Sequence, residues 1–214
     1  MTGTLAWHFT EHPDKLRDGS PRVAGVTERY DGHLELGKRG LHASIRALDA
    51  SRSAADWPFV SLVRCDGDVL RGEDKLVCSR RTPLWTVDAT ETLRWTARES
   101  ARSVLALWVT TVPEAVQVWL AEEDLSDTAR RAAWGAAETV ARSEAWGTAW
   151  HAARSAVWSA AWSTTESAAW CAAASAADST SWGATTKAAW TASFEEKNQI
   201  LESLLLELAN TSDY

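Results

Sequence analysis

Two histidines in the first half of the chain occupy positions where an imidazole could do chemistry. His42 lies in Gly40-Leu41-His42-Ala43-Ser44, where glycine allows a tight approach into a strand that presents His42 and Ser44 on one face. His8 lies in the aromatic stretch Trp7-His8-Phe9. Because an imidazole titrates near neutral pH, it can serve as a general acid or base. His8 and His42 are therefore candidate site residues, although a histidine in a strand more often forms only structural hydrogen bonds.

A carboxylate is the third candidate. Glu73 lies in the charged run Gly72-Glu73-Asp74-Lys75, immediately before a β-rich segment. Such a run is commonly a solvated turn. The histidines His12, His33 and His151 show no metal-ligand spacing, and the three cysteines lack a Cys-x-x-Cys motif. The sequence therefore predicts no metal site.

Short β-rich segments must position these candidates. Turn sequences such as Asp31-Gly32 and Asp66-Gly67-Asp68 separate the segments from one another. The segments cover residues 5–10, 22–30, 33–36, 59–64 and 75–79. This pattern predicts a small, mostly antiparallel sheet.

Helices are predicted beside this sheet. A short helical stretch follows the His42 segment at residues 45–50. Asp88 and Glu91 have the spacing of a capping box, which predicts a helix that continues to about Trp108. Pro113 begins a further short helix, because proline suits the first helical turn. Together with the sheet, these helices predict an α+β head domain.

The chain changes character near residue 121. Residues 1–121 contain 16 acidic and 16 basic side chains, whereas residues 122–214 contain 13 acidic and 6 basic ones and so carry the whole net charge of −7. We expect a head domain over 1–121, a repeat region over 122–193, and a C-terminal capping helix and tail over 194–214. The apolar face of that last helix contains Phe194, Leu201, Leu204, Leu205 and Leu208.

An alanine and tryptophan repeat dominates the second half. Between Trp134 and Trp190, eight of the fifteen residues spaced by four are tryptophan, and alanine commonly fills the two positions before each. Since alanine is the best helix former, we expect helices. Four residues overshoot one helical turn by about 40°, so the tryptophan stripe drifts around the axis.

This drift leaves three architectures open. The segment supercoils to the right, or breaks into two or three short helices packed as a bundle, or forms a β-solenoid with four residues on each side. We favour the bundle, in which tryptophans fill the space between helices. The tryptophans expected in this repeat core are Trp134, Trp146, Trp150, Trp158, Trp162, Trp170, Trp182 and Trp190.

Composition also bears on partners. Residues 132–193 contain only seven charged side chains, which predicts an apolar surface that is buried against further copies of the chain, as a homo-oligomer, or against the head domain. Another protein is a further candidate partner. The absence of a basic stripe argues against nucleic acid. The longest apolar run, 104–109, is too short to cross a bilayer, so no membrane association is expected. A polar N-terminus and three widely spaced cysteines fit the cytoplasm.

The segments Trp7-His8-Phe9, Gly40-Leu41-His42-Ala43-Ser44 and Gly72-Glu73-Asp74-Lys75, in that order, resemble an uncharacterised domain family found at the N-terminus of bacterial and phage proteins. In that family a Leu-His-Ala motif precedes a helix and a Gly-Asp-Lys-like turn follows a strand. The resemblance covers roughly residues 3–100. It implies a head followed by a low-complexity repeat tail, and it implies no activity.

The head also resembles, more weakly, the ADP-ribosyltransferase fold, in which a histidine on an early strand and a Gly-Ile-Tyr-Phe strand bind NAD. His8 and Gly40-Leu41-His42-Ala43 take those places in this sequence, with His42 where the family has a stacking tyrosine. Glu73 is the candidate for the carboxylate that polarises the ribose. This resemblance implies NAD as the cofactor.

Two functions are therefore predicted. The first is a non-enzymatic scaffold or protein-interaction module without a cofactor, in which the repeat drives self-association. The alternative is a nucleotide-binding or ADP-ribosyltransferase-like head that the repeat positions.

Overall fold

The computed structural model describes residues 3–16, 18–52, 54, 57–108, 110–143, 147–160, 166–181 and 187–211. These residues form a small antiparallel sheet and seven α-helices, which confirms the predicted α+β class. The strands are β1 (Thr4–Thr10), β2 (Glu28–Arg29), β3 (Leu41–Ala43), β4 (Phe59–Arg71) and β5 (Leu76–Asp88). The helices are α1 (Ala47–Arg52), α2 (Thr90–Arg102), α3 (Glu114–Leu120), α4 (Asp127–Ser143), α5 (Thr148–Ser159), α6 (Glu166–Ser181) and α7 (Lys187–Thr211), with a 3₁₀ turn at Leu105–Leu107.

The chain divides into two compact units. The α+β unit comprises Met1–Thr90 and Leu201–Tyr214, and the helical unit comprises Glu91–Ile200. This division differs from the predicted boundaries at residues 121 and 193. Helices α2 and α3 bury apolar residues in the same cluster as α4 and α5, so they belong to the helical unit. The predicted capping helix is the second part of α7, which already begins at Lys187.

A long hairpin forms the centre of the sheet. β4 and β5 pair antiparallel along their whole length, and residues 72–75 form the tip, where the Gly72 N–H donates to the Lys75 carbonyl at 2.8 Å. The turn that the sequence predicts at Asp66-Gly67-Asp68 does not form, so that prediction is wrong. Gly67 lies instead in a bulge of β4 with a φ of 76°. A bulge accommodates extra residues and bends the strand without ending it.

Short strands complete the sheet around this hairpin. β1 pairs with β4, whereas β2 and β3 pair with successive parts of β5. Trp7 in β1 and Ser44 just after β3 exchange two backbone hydrogen bonds of 2.7 and 2.9 Å. The pairings therefore form a closed ring from β1 through β4, β5 and β3 back to β1. A buried cluster of this sheet contains Ala6, Ala43, Val63, Cys65, Leu76 and Cys78.

Alanine forms the interior of the helical unit. The buried alanines of α4, α5 and α6 include Ala133, Ala137, Ala141, Ala152, Ala153, Ala156, Ala169, Ala172, Ala173, Ala176 and Ala177. Trp134 is instead 41% exposed, and Trp150, Trp158, Trp170 and Trp190 are only half-buried. Trp134 therefore does not fill the core as expected. Trp170 and Trp190 pack against the fully buried Phe194, with ring centroids 6.2 and 4.8 Å away. Helix separation depends on the side chains at the contact, and alanine allows the closest approach, so the bulky indoles of α4 and α5 lie at the periphery.

Trp146, Trp162 and Trp182 lie outside the described residues. The described parts of the repeat are helical, and the predicted bundle stays a prediction. The small residues between the alanines link neighbouring helices: the Ser155 hydroxyl donates to the Ala172 carbonyl at 2.8 Å, and the Ser179 hydroxyl donates to the Thr148 carbonyl at 2.9 Å. Where the structure describes the chain, none of its helices combines the length and hydropathy that a membrane crossing needs.

The alanine interior leads to a stability prediction. Ala137→Leu adds three carbon atoms to a fully buried position of α4 and lowers the free energy of unfolding by about 1–3 kcal/mol. Ala132→Leu makes the same change at an exposed position of the same helix and shifts it by less than about 0.5 kcal/mol. Urea unfolding followed by helical circular dichroism measures both. Equal stability of the two variants would contradict an alanine interior.

Candidate functional site

The ring of strands brings two of the three candidate residues together. His8 of β1 and His42 of β3 both line a cavity of about 590 Å³ in the α+β unit. The Trp7–Ser44 pairing explains this, because His8 is next to Trp7 and His42 is two residues before Ser44. Arg81 of β5 and Trp57 also line the cavity.

A tight turn holds the His42 imidazole. Glu35 and Arg39 pair through their backbones, so that Gly37 lies at the tip of a small loop with a φ of 79°. The Gly37 N–H donates to His42 Nε2 at 2.9 Å, which requires the imidazole to be neutral with its proton on Nδ1. Gly40 has a φ of 111°, and a Cβ there would lie 2.4 Å from Val77 Cγ2. Only glycine fits this approach to β5, as the sequence analysis anticipated.

A buried charge network stands behind the cavity. Glu28 of β2 accepts from Arg22 Nε at 3.2 Å and from Arg81 Nε at 2.7 Å. Arg81 Nη1 also donates to the His42 carbonyl at 2.5 Å, and Arg22 Nη1 donates to Thr10 Oγ1 at 3.3 Å. The side chains of Arg22 and Arg81 are 1% and 5% exposed. Two guanidinium groups thus share one carboxylate, and the network carries one excess positive charge.

The environment of this network changes the pKa of Arg22. Burial and, to a smaller extent, the neighbouring Arg81 lower this pKa to about 10, and Glu28 opposes both effects. Arg22 therefore remains protonated at neutral pH. Within the described residues, its Nη2 atom is buried and has no hydrogen-bond partner.

His8 is held in its neutral form. Burial lowers its pKa well below the usual value, and the positive charges of Arg81 and Arg22 lower it further, with a smaller contribution from His42. The Nδ1 atom of His8 is buried, and among the described residues it has no hydrogen-bond partner. Burial also lowers the pKa of His42. The site thus contains two neutral imidazoles beside two charged guanidiniums.

The third candidate lies elsewhere. Glu73 is exposed at the tip of the β4–β5 hairpin and is not among the residues that line the cavity. Arg22 and Arg81, in contrast, were missed by the sequence analysis. One signal was present: adjacent residues of a strand face opposite sides, so Arg80-Arg81 in a half-buried strand must turn one arginine inward. Over the residues that the structure describes, no cluster of three or more His, Cys, Asp or Glu side chains could hold a metal ion.

Comparisons of the chain with protein-family models, with curated proteins and with solved structures give no match. The two resemblances drawn from the sequence therefore stay predictions.

The lowered pKa of His8 predicts how stability depends on pH. Because the folded pKa lies below the unfolded one, the unfolded state binds more protons below about pH 6.5, so folding stability declines as the pH falls. One such group contributes a slope of at most about 1.4 kcal/mol per pH unit. His42 and His151 act in the same direction, so His8→Gln reduces the slope without abolishing it. Urea unfolding between pH 7.5 and pH 5 measures the two slopes, and their difference is expected to correspond to the uptake of roughly one proton on unfolding. Parallel curves for wild type and His8→Gln would contradict it.

Proposed function

We propose that the α+β unit binds a small molecule that carries a phosphate group of the nucleotide type, in the cavity lined by His8, His42 and Arg81. One observation carries the proposal: Arg22 and Arg81 share a single carboxylate and leave one buried positive charge beside that cavity. Burying an uncompensated charge is costly, and an anion bound at Arg81 removes the cost. Glu11 and Asp18 line the same cavity together with Lys15, so the anionic group of the ligand must bind at Arg81 and not at these carboxylates. Guanidinium groups are the preferred protein partners of phosphate.

The rest of the cavity supports a nucleotide rather than a bare ion. Its volume of about 590 Å³ falls in the range of small-molecule sites, roughly 300–1,000 Å³. Trp57, Phe9 and Leu41 supply apolar surface on which a base can lie. The neutral His8 imidazole supplies a polar atom that has no partner within the described part of the chain.

The proposal is for binding rather than for transfer. An ADP-ribosyltransferase needs a carboxylate beside the ribose, and Glu73, the residue that the resemblance implies, lies on the exposed hairpin tip. Glu28 lies close to the site but is engaged by both arginines, whereas Glu11 and Asp18 line the cavity itself. NAD is therefore a candidate ligand of this cavity, and transfer from NAD is the alternative.

Calorimetric titration with AMP, NAD and adenosine tests the proposal. We expect AMP and NAD to bind at least about tenfold more tightly than adenosine, which lacks the phosphate, a difference of about 1.4 kcal/mol. Arg81→Lys keeps the charge but loses the planar donor geometry, so it weakens AMP binding by about tenfold. The matched control is Arg80→Lys, the next residue of β5, whose side chain is 46% exposed and pairs with Asp66.

Three results decide the matter. Adenosine binding as tightly as AMP, or the absence of binding by all three ligands, rejects a phosphate site. Release of nicotinamide from NAD, or a mass increase of the protein after incubation with NAD, rejects the hypothesis that the cavity only binds its ligand. Either result supports the transferase alternative. Equal effects of Arg81→Lys and Arg80→Lys reject the assignment of Arg81.

We also propose that the repeat is a scaffold through which the chain associates with further copies of itself in the cytoplasm. Trp134 of α4 supports this, because a large indole is 41% exposed there and a Cβ added at the neighbouring Gly135 would meet nothing within 4 Å. Tryptophan is among the residues that most often anchor protein interfaces, so this exposed indole is the candidate anchor. Three cysteines cannot all pair within one chain, which favours a reducing compartment.

Light scattering coupled to size-exclusion chromatography tests self-association. The wild-type chain is expected to elute as an oligomer, and Trp134→Gln to weaken the association by at least about tenfold, since aromatic anchors contribute about 2 kcal/mol or more at interfaces. Ala132→Gln, also exposed on α4, is the control. A monomeric wild-type chain at high concentration would sink this proposal and leave the nucleotide site untouched.

A further inference from the structure

The helical unit contains a second cavity with a different chemistry. It measures about 260 Å³ and lies between α2, α6 and α7. Five hydroxyl-bearing residues line it, namely Thr96, Ser100, Ser103, Thr180 and Ser193. Trp95 lines it with an aromatic side chain, and Glu99, Glu196 and Lys197 with charged ones. A site so rich in hydroxyls suits a ligand that carries hydroxyls of its own.

Lys197 is the unusual member of this lining. It is only 7% exposed, and its Nζ has a neutral partner, Ser193 Oγ, at the long distance of 3.4 Å. No carboxylate within the described residues forms an ion pair with it. A buried ammonium without a counter-ion is costly, and the amine relieves this cost by losing its proton. Burial accordingly lowers the pKa of Lys197, and the nearby Glu196 opposes the shift.

The charges around Lys197 restrict the ligand. Glu99, which also pairs with Arg102, and Glu196 repel an anion. A neutral polar molecule avoids this repulsion. Its own hydroxyl groups can donate to the hydroxyl oxygens of Thr96, Ser100 and Ser103, whose protons are donated to backbone carbonyls. The flat side chain of Trp95 offers apolar surface to the C–H groups of such a molecule.

We propose that Lys197 is a nucleophilic lysine that captures a small hydroxylated aldehyde or ketone as an imine in this cavity. The lone pair of the unprotonated Nζ attacks the carbonyl carbon and forms the C–N bond, while the carbonyl π electrons move to oxygen. The nitrogen gives up one of its two protons and the oxygen takes up one, which yields a carbinolamine. The hydroxyl group then leaves as water together with the second proton of the nitrogen. The C=N bond remains. Glu99 and Glu196 lie on the same cavity and can exchange these protons with solvent.

Reductive trapping on the full chain tests this inference. The protein is mixed with glycolaldehyde and sodium cyanoborohydride, which supplies the hydride that fixes the imine as a secondary amine. Peptide mapping then follows the gain of one hydroxyethyl group at each lysine. Lys197 is expected to be labelled several-fold faster than Lys38, even though Lys38 is far more exposed and pairs with Glu35. Labelling of Lys197 no faster than Lys38 in the folded protein overturns the proposal.

Two further measurements distinguish a binding site from general amine reactivity. Ethylene glycol carries hydroxyl groups but no carbonyl, so at high concentration it occupies the cavity and slows the labelling of Lys197 but not of Lys38. Labelling that ethylene glycol leaves unchanged rejects the hydroxylated ligand class. Lys197→Arg replaces the amine by a guanidinium, which does not form an imine, and abolishes the fast phase, whereas Lys38→Arg, the matched control, retains it. A fast phase that survives in a folded Lys197→Arg protein rejects the assignment of the residue.

Discussion

The Glu28 carboxylate is the interaction on which the α+β unit depends. It lies in a strand of two residues, yet it binds Arg22 of the preceding loop and Arg81 of the central hairpin. Arg81 in turn holds the carbonyl of His42, and Arg22 reaches Thr10 of β1. A single acidic group therefore connects its own strand, through two arginines, to four other segments of the unit. It also sets the electrostatics of the cavity, because one carboxylate neutralises only one of two buried guanidiniums.

Much of this arrangement could be predicted from the sequence, and the reasons for the rest are physical. The β-rich composition of residues 5–10 identified β1 almost to the residue, and the glycines before His42 identified β3. The full length of β4 and β5 was missed because the sequence around Gly67 is typical of a turn. Gly67 lies in a bulge instead, and a bulge depends on the pairing with the partner strand. His8 and His42 were recognised from their local setting. Arg22 was not, since its burial depends on residues distant in sequence.

In the repeat, the most conspicuous residues are not those that form the contacts between the helices. Its most conspicuous residues are tryptophans, and the general rule places large apolar side chains in the interior. The alanines, however, outnumber them and occupy the helix faces that come into contact. Indoles then find partners at the periphery, as in α5, where the Arg154 guanidinium lies 5.2 Å from the Trp150 ring and 5.3 Å from the Trp158 ring. Which residue type is buried depends on how closely the helices approach, and no local pattern states that distance.

The drift of the tetrad repeat around the helix axis restricts how such a sequence can change in length. Every added tetrad turns the residues that follow it by about 40°, so about four tetrads carry a stripe nearly to the opposite side of its helix. The described helices α4, α5 and α6 contain 17, 12 and 16 residues, within that limit. Inserting one tetrad inside a helix would turn the alanines that follow by about 40° and move them by about 6 Å along the axis, whereas gaining or losing a complete helix would leave the contacts within each helix face unchanged. Viable variants of this chain would therefore differ in length by whole helices.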